Sequence, residues 1–98
     1  MNINKTINGS DMTVALEGRL DTTTAPELEE SLKDSLPGVK ELTFDLQKLE
    51  YVSSAGLRVL LSTQKIMNGQ GAMKVVNVCD MVMEVFDVTG FSDILTIE

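Results

Sequence analysis

Asp45-Leu46-Gln47-Lys48-Leu49-Glu50-Tyr51-Val52-Ser53-Ser54-Ala55-Gly56-Leu57-Arg58-Val59-Leu60-Leu61 runs from the end of a strand, through a loop, into a helix. Just upstream, Glu41-Leu42-Thr43-Phe44-Asp45-Leu46 alternates, with Leu42, Phe44 and Leu46 on one face, the period of a half-buried strand. Leu49 and Tyr51 fall in the loop, and Ser53-Ser54 opens the helix. Leu57, Leu60, Leu61, Gln64 and Met67 then recur at helical spacing, and Asn68-Gly69 supplies the stop. A strand feeding an amphipathic helix is half of a β-α-β unit, so the chain reads as α/β.

Working outward, the same alternation of strand and helix continues in both directions. Residues 2–8 and Met12-Thr13-Val14-Ala15-Leu16-Glu17-Gly18 read as two strands joined by a tight turn at Gly9-Ser10-Asp11. Thr24-Ala25-Pro26-Glu27 is a helix start, with a Thr N-cap, Pro in the first turn and Glu placed for a capping box. Ala25, Leu28, Leu32 and Leu36 form its stripe, and Pro37-Gly38 ends it. Downstream, Met73 to Val78 is a strand, and Cys79-Asp80 opens a helix with Val82, Val85, Phe86 and Thr89 at helical spacing. Gly90-Phe91 closes that helix, and Ile94 to Ile97 reads as a last short strand. The expected order is β-β-α-β-α-β-α-β in a single domain spanning residues 1–98. Strand-helix-strand connections imply right-handed crossovers and a mostly parallel sheet packed against helices. The opening hairpin adds an antiparallel edge, which makes the sheet mixed. Strand order stays open at this level.

Composition removes several classes of function. Fifteen acids against eight bases give a net charge of −7, which repels a nucleic-acid backbone and an anionic membrane surface. There is no histidine and only one cysteine, Cys79. That excludes a Ser-His-Asp or Cys-His arrangement, a disulfide framework and a thiolate cluster for zinc. No G-x-x-x-x-G-K-[ST] or G-x-G-x-x-G phosphate loop is present. Asp21 and Asp45 are the one acidic pair worth weighing for Mg²⁺, but Asp21 belongs to its turn and Asp45 to the N–H groups of its own loop. Neither metal nor cofactor is expected, and the chain reads as a binding protein and not an enzyme. Met1-Asn2-Ile3-Asn4-Lys5 lacks an apolar signal core, and no apolar run approaches about 18 residues, so a cytoplasmic location without membrane insertion is expected.

The candidate site is the loop that leads from Asp45-Leu46 into the helix at Ser53-Ser54. Loops beyond the carboxyl ends of parallel strands are where sites form, and Ser53 and Ser54 bring two hydroxyls to a helix N-terminus that favours anions. N-capping, worth about 1 kcal/mol, accounts for one of them. Gly56 in the first turn costs up to about 1 kcal/mol against Ala, and serves either packing or the close approach of another chain. Arg58 stands at the wrong end of the helix for the dipole, a local conflict that points to function. No acid occurs from Ser53 to Cys79, whereas Arg58, Lys65 and Lys74 all do. That run reads either as chance placement on a solvated face or as a surface for an acidic or phosphorylated partner. Of Met81 and Met83, packing explains one, leaving the other for an adaptable contact surface.

Three stretches together carry a resemblance. Leu16-Glu17-Gly18-Arg19-Leu20-Asp21 with Thr24-Ala25-Pro26, then Asp45-Leu46 with Tyr51-Val52-Ser53-Ser54-Ala55-Gly56-Leu57, then Val85-Phe86-Asp87-Val88-Thr89-Gly90-Phe91, look like the STAS domain. Small free-standing bacterial members of that family are anti-sigma factor antagonists. The resemblance implies a partner switch: unphosphorylated, such a protein binds an anti-sigma factor that is also a serine kinase, and frees a sigma factor. Phosphorylation of a serine at the start of the second helix dissociates the complex, and a serine phosphatase resets it. The implied contact set is Asp21, Thr22, Thr23, Ser53, Ser54, Ala55, Gly56 and Arg58. The family pattern Asp-Ser-Ser-Gly-Leu, with its second serine the acceptor, aligns with Ser53-Ser54-Ala55-Gly56-Leu57, so Ala55 fills the acceptor slot. Either Ser54 takes the phosphate one residue earlier, with Ser53 the other hydroxyl at hand, or the loop is not phosphorylated. Two other uses within the family are an accessory subunit of a membrane lipid transporter and a nucleotide-binding module.

Overall fold

Alternating apolar residues can bury one face of a strand only if neighbouring strands and helices cover that same face. The computed structural model describes residues 1–98. Strands β1 (Asn2–Asn8) and β2 (Asp11–Leu20) form the opening hairpin. Its turn holds Gly9 at φ 66°, where a Cβ would be strained. Then follow α1 (Ala25–Ser35), β3 (Glu41–Val52), α2 (Ser54–Asn68), β4 (Ala72–Val76) and α3 (Asp80–Thr89), with a 3-10 turn at Phe91–Asp93. The sheet order is β1-β2-β3-β4; β1 pairs antiparallel with β2, and the other two pairings are parallel.

One sheet face is the core face. Met12, Val14 and Leu16 of β2, Leu42, Phe44 and Leu46 of β3, and Met73 and Val75 of β4 are all buried. The helices cover them through Leu28 and Leu32 of α1, Leu57, Leu60 and Met67 of α2, and Val82 and Phe86 of α3, in one continuous cluster. Leu61 flanks this stripe half-buried, short of the full burial its spacing implies. The other sheet face carries Thr13, Thr43 and Lys74 in one register row and Ala15, Asp45 and Val76 in the next. None of these six is buried, so the molecule has two layers.

Three expected strands are corrected. Strand β3 does not stop at Leu46 but continues to Val52, taking in Leu49 and Tyr51. The register with β2 slips twice, between Ala15 and Glu17 and between Gly18 and Arg19. Each slip adds one residue on β3, so Leu46, Leu49 and Val52 stay on the core face at a spacing of three, and the alternation that reveals a strand is lost. The eighth element, a strand at Ile94–Ile97, reduces to a single bridge between Val75 and Ile97. The 3-10 turn uses Phe91–Asp93, and only the Val75–Thr96 and Glu98–Val75 hydrogen bonds (2.8 and 2.9 Å) dock the terminus beside β4. The order is therefore β-β-α-β-α-β-α. The strand expected over Met73–Val78 covers Ala72–Val76, because Asn77 turns into the left-handed region at φ 57°.

Candidate functional site

The two slips in register have a geometric result: they bring the ends of β2 and β3 level. Leu20 pairs with Val52, and the Ser53 N–H donates to the Leu20 carbonyl at 2.8 Å. The turn after β2 and the turn after β3 consequently lie side by side at the carboxyl edge of the sheet.

The first turn is organised by Asp21. Its Oδ1 accepts from the N–H groups of Thr23 (3.0 Å) and Thr24 (3.1 Å), and its carbonyl accepts from Ala25 N–H at 2.8 Å. Asp21 thus caps a helical turn that starts three residues before the expected cap. Thr24, already helical at φ −94° and ψ −20°, makes no side-chain cap bond. Its hydroxyl instead accepts from Asp21 N–H and donates to the Arg19 carbonyl, both at 2.8 Å. These contacts hold the Asp21 carboxyl below its ordinary 3.8: first the Thr24 N–H, then the Thr23 N–H, the Thr24 hydroxyl and the Arg19 guanidinium, against some opposing desolvation. Thr22 and Thr23 are exposed.

In the second turn, Ser53 is the N-cap of α2, extended at φ −95° and ψ 175°, and its hydroxyl accepts from Gly56 N–H at 3.4 Å. Ser54, the first helical residue, is exposed, and its hydroxyl bonds to nothing in the chain. Backbone N–H groups of Ser54 and Ala55 are likewise left open, the usual state of a helix N-terminus. Ala55 is half-buried. Gly56 is buried, and a Cβ there would stand 2.6 Å from Leu20 Cγ and 2.9 Å from Val52 Cγ2. Its missing side chain lets α2 start hard against the ends of β2 and β3, which answers the question of packing against outside approach. Arg58 is exposed, with no carboxylate within salt-bridge distance. It lines a groove of about 320 Å³ between α1 and α2 with Thr22, Ala25, Pro26, Glu29 and Ala55. Thr22, Ala55 and Arg58 thus meet at one groove, with Ser54 beside it on the same helical turn.

One feature escaped the sequence. The Arg19 guanidinium lies over the Tyr51 ring, 4.5 Å from its centroid, and 3.9 Å from Asp21. Register pairs these residues across β2 and β3, next to Leu20 and Val52. Tyr and Arg are the side chains enriched at binding hot spots. The pair was invisible beforehand because Tyr51 reads as loop until the second register slip aligns it with Arg19.

Other singled-out groups serve the scaffold. Asp45 accepts from Gln47 N–H and from Asn77 Nδ2, both at 3.1 Å, which ties the β4–α3 turn to β3. Cys79 stands at the N-cap position of α3 without a side-chain cap bond, and its thiol donates instead to the Leu49 carbonyl at 3.4 Å. No group of three His, Cys, Asp or Glu side chains converges as metal ligands would. No helix is long and apolar enough to cross a membrane.

Comparison with known proteins identifies the family and agrees with the fold. The family model for the STAS domain matches residues 2–98. An anti-sigma-B factor antagonist of Bacillus subtilis is 34% identical over 100 residues, covering 99% of this chain and 92% of its own length. The crystal structure of an anti-sigma factor antagonist from Mycobacterium paratuberculosis superposes with a TM-score of 0.88 at 22% identity, covering 98% of this chain and 83% of that one. The Bacillus cell fate determinant SpoIIAA, solved in its phosphorylated form, superposes at 0.77 with 14% identity, covering 99% and 91%.

Proposed function

The chain belongs to the STAS domain family, and from that premise we propose that it is an anti-sigma factor antagonist. It acts by binding: unphosphorylated, it occupies an anti-sigma factor and so releases the sigma factor that partner holds. The full-length match to an anti-sigma-B factor antagonist supports the partner class. The contact surface is the carboxyl edge of β2 and β3: the Asp21–Thr23 turn, Ser53 to Gly56, and Arg58.

The observation that carries the regulatory half is the exposed, unbonded Ser54 hydroxyl beside two open N–H groups. A serine kinase, the anti-sigma factor itself, transfers a phosphoryl group from ATP to Ser54 Oγ, and a serine phosphatase removes it. The phosphate adds about −1.5 to −2 charges, which the helix N-terminus accommodates. A partner covering the loop must desolvate that dianion, and binding is lost. Ser53 is the poorer acceptor because its oxygen is engaged as the cap of α2.

Incubating the chain with its cognate anti-sigma factor and ATP, then mapping phosphosites by mass spectrometry, tests this. Label on Ser54, absent in Ser54→Ala, is expected. Tight binding with no label on either serine would leave a constitutive antagonist and remove the switch; absence of binding would remove the function.

A further inference from the structure

A second surface lies on α3, away from the groove between α1 and α2. Val82 and Phe86 take the buried side of that helix, and Met83 packs against the core. Met81 faces outward at 61% exposure and Val88 at 80%, with Val85 half-buried between them. These positions are i, i+4 and i+7, a single stripe along the outer face. They border a shallow depression of about 270 Å³ that also includes Glu84. Val85 packs in part against the core, but core packing explains neither Met81 nor Val88, the two exposed ends of the stripe on a helix only 10 residues long.

The rim has one sign of charge. Asp80, Glu84 and Asp87 stand beside the stripe, and none is ion-paired. No Lys or Arg follows Lys74 in the sequence. The α3 face of a second copy, or an anionic membrane, would bring like charge to this rim. A helix with an apolar stripe flanked by Lys or Arg supplies both the surface and the charge that are missing, and its long basic side chains would cover the rim. We propose that the outer face of α3 is a second docking surface, for a basic amphipathic helix of a protein partner. The proposal is independent of the site at the sheet edge: α3 follows β4, packs on β3, and contributes nothing to the groove that Arg58 lines.

The probe is a synthetic amphipathic Leu/Lys helix titrated into the ¹⁵N-labelled chain, with a scrambled peptide of equal composition as the control for charge alone. Saturable shift changes confined to residues 80–89 are expected, with the scrambled peptide at least tenfold weaker. Met81→Ser combined with Val88→Ser, both exposed positions, should weaken binding at least tenfold while circular dichroism stays unchanged. Equal affinity for both peptides, or shifts centred on other elements, overturns the proposal. Sedimentation showing a concentration-dependent dimer that Val88→Ser abolishes also overturns it, by assigning the face to a second copy.

Discussion

Gly56 and Asp21 hold the candidate site together in opposite ways, one by having no side chain and the other by having a well-bonded one. Adding a Cβ at position 56 places it 2.6 Å from Leu20 Cγ and 2.9 Å from Val52 Cγ2. Ala gains up to about 1 kcal/mol of helix propensity over Gly, but overpacking typically costs about 1–3 kcal/mol and should win here. Gly56→Ala is therefore expected to lower the denaturant midpoint; a raised midpoint would mean the neighbours yield easily. Asp21 makes a pH prediction. Its folded pKa lies below 3.8, so the stability it contributes is present above the ordinary carboxylate range and is lost as pH falls through the folded value. Asp21→Asn, which keeps an acceptor but cannot titrate, should melt below the parent at pH 7, with the gap narrowing below about pH 4. A gap that widens on acidification would contradict the geometry around Asp21. Both residues lie in segments whose role the sequence shows. The cap of α1 is harder to read: Thr24 has the right residue type, but Asp21 starts the turn earlier and takes the N–H groups.

Among the elements, α2 is the most fully legible, because its stripe, a serine cap and its Asn68-Gly69 stop are all local signals; which of Ser53 and Ser54 caps is settled by the structure, as Ser53. Strand β3 is legible only to Leu46, because two bulges replace the period of two with a spacing of three. The C-terminal strand misleads for the opposite reason: Ile94 to Ile97 has strand chemistry but only one bridge to pair with. The site inherits both facts. Its two turns are visible in the sequence, whereas their adjacency and the Arg19–Tyr51 pair depend on the bulges. The prediction at this scale concerns the open end of α2. An anionic side chain there is favoured by about 0.3–1 kcal/mol, so Ser54→Asp should melt within a few degrees of the parent. A large drop would show that Ser54 supports the fold, and any loss of partner binding in that variant could no longer be read as regulation.

Over the whole molecule, charge separates the surfaces. A chain of net charge −7 keeps the segment from Ser53 to Cys79 free of acids and places every base before residue 75. Arg58, unpaired and exposed at the groove, is then the cation available to an acidic partner. Arg58→Glu should slow association several-fold at low ionic strength and flatten its salt dependence, with a smaller change in dissociation. Unchanged association rates across ionic strength would remove Arg58 from the interface. If this edge of the sheet frees a sigma factor, the chain must displace sigma from its anti-sigma factor. The cognate anti-sigma factor is held in complex with fluorescently labelled sigma factor, and the chain is titrated in. The unphosphorylated chain should release sigma at near-stoichiometric amounts, and the chain phosphorylated on Ser54 should need at least tenfold more. A folded, unphosphorylated chain that leaves the complex intact at saturating concentration would contradict the account.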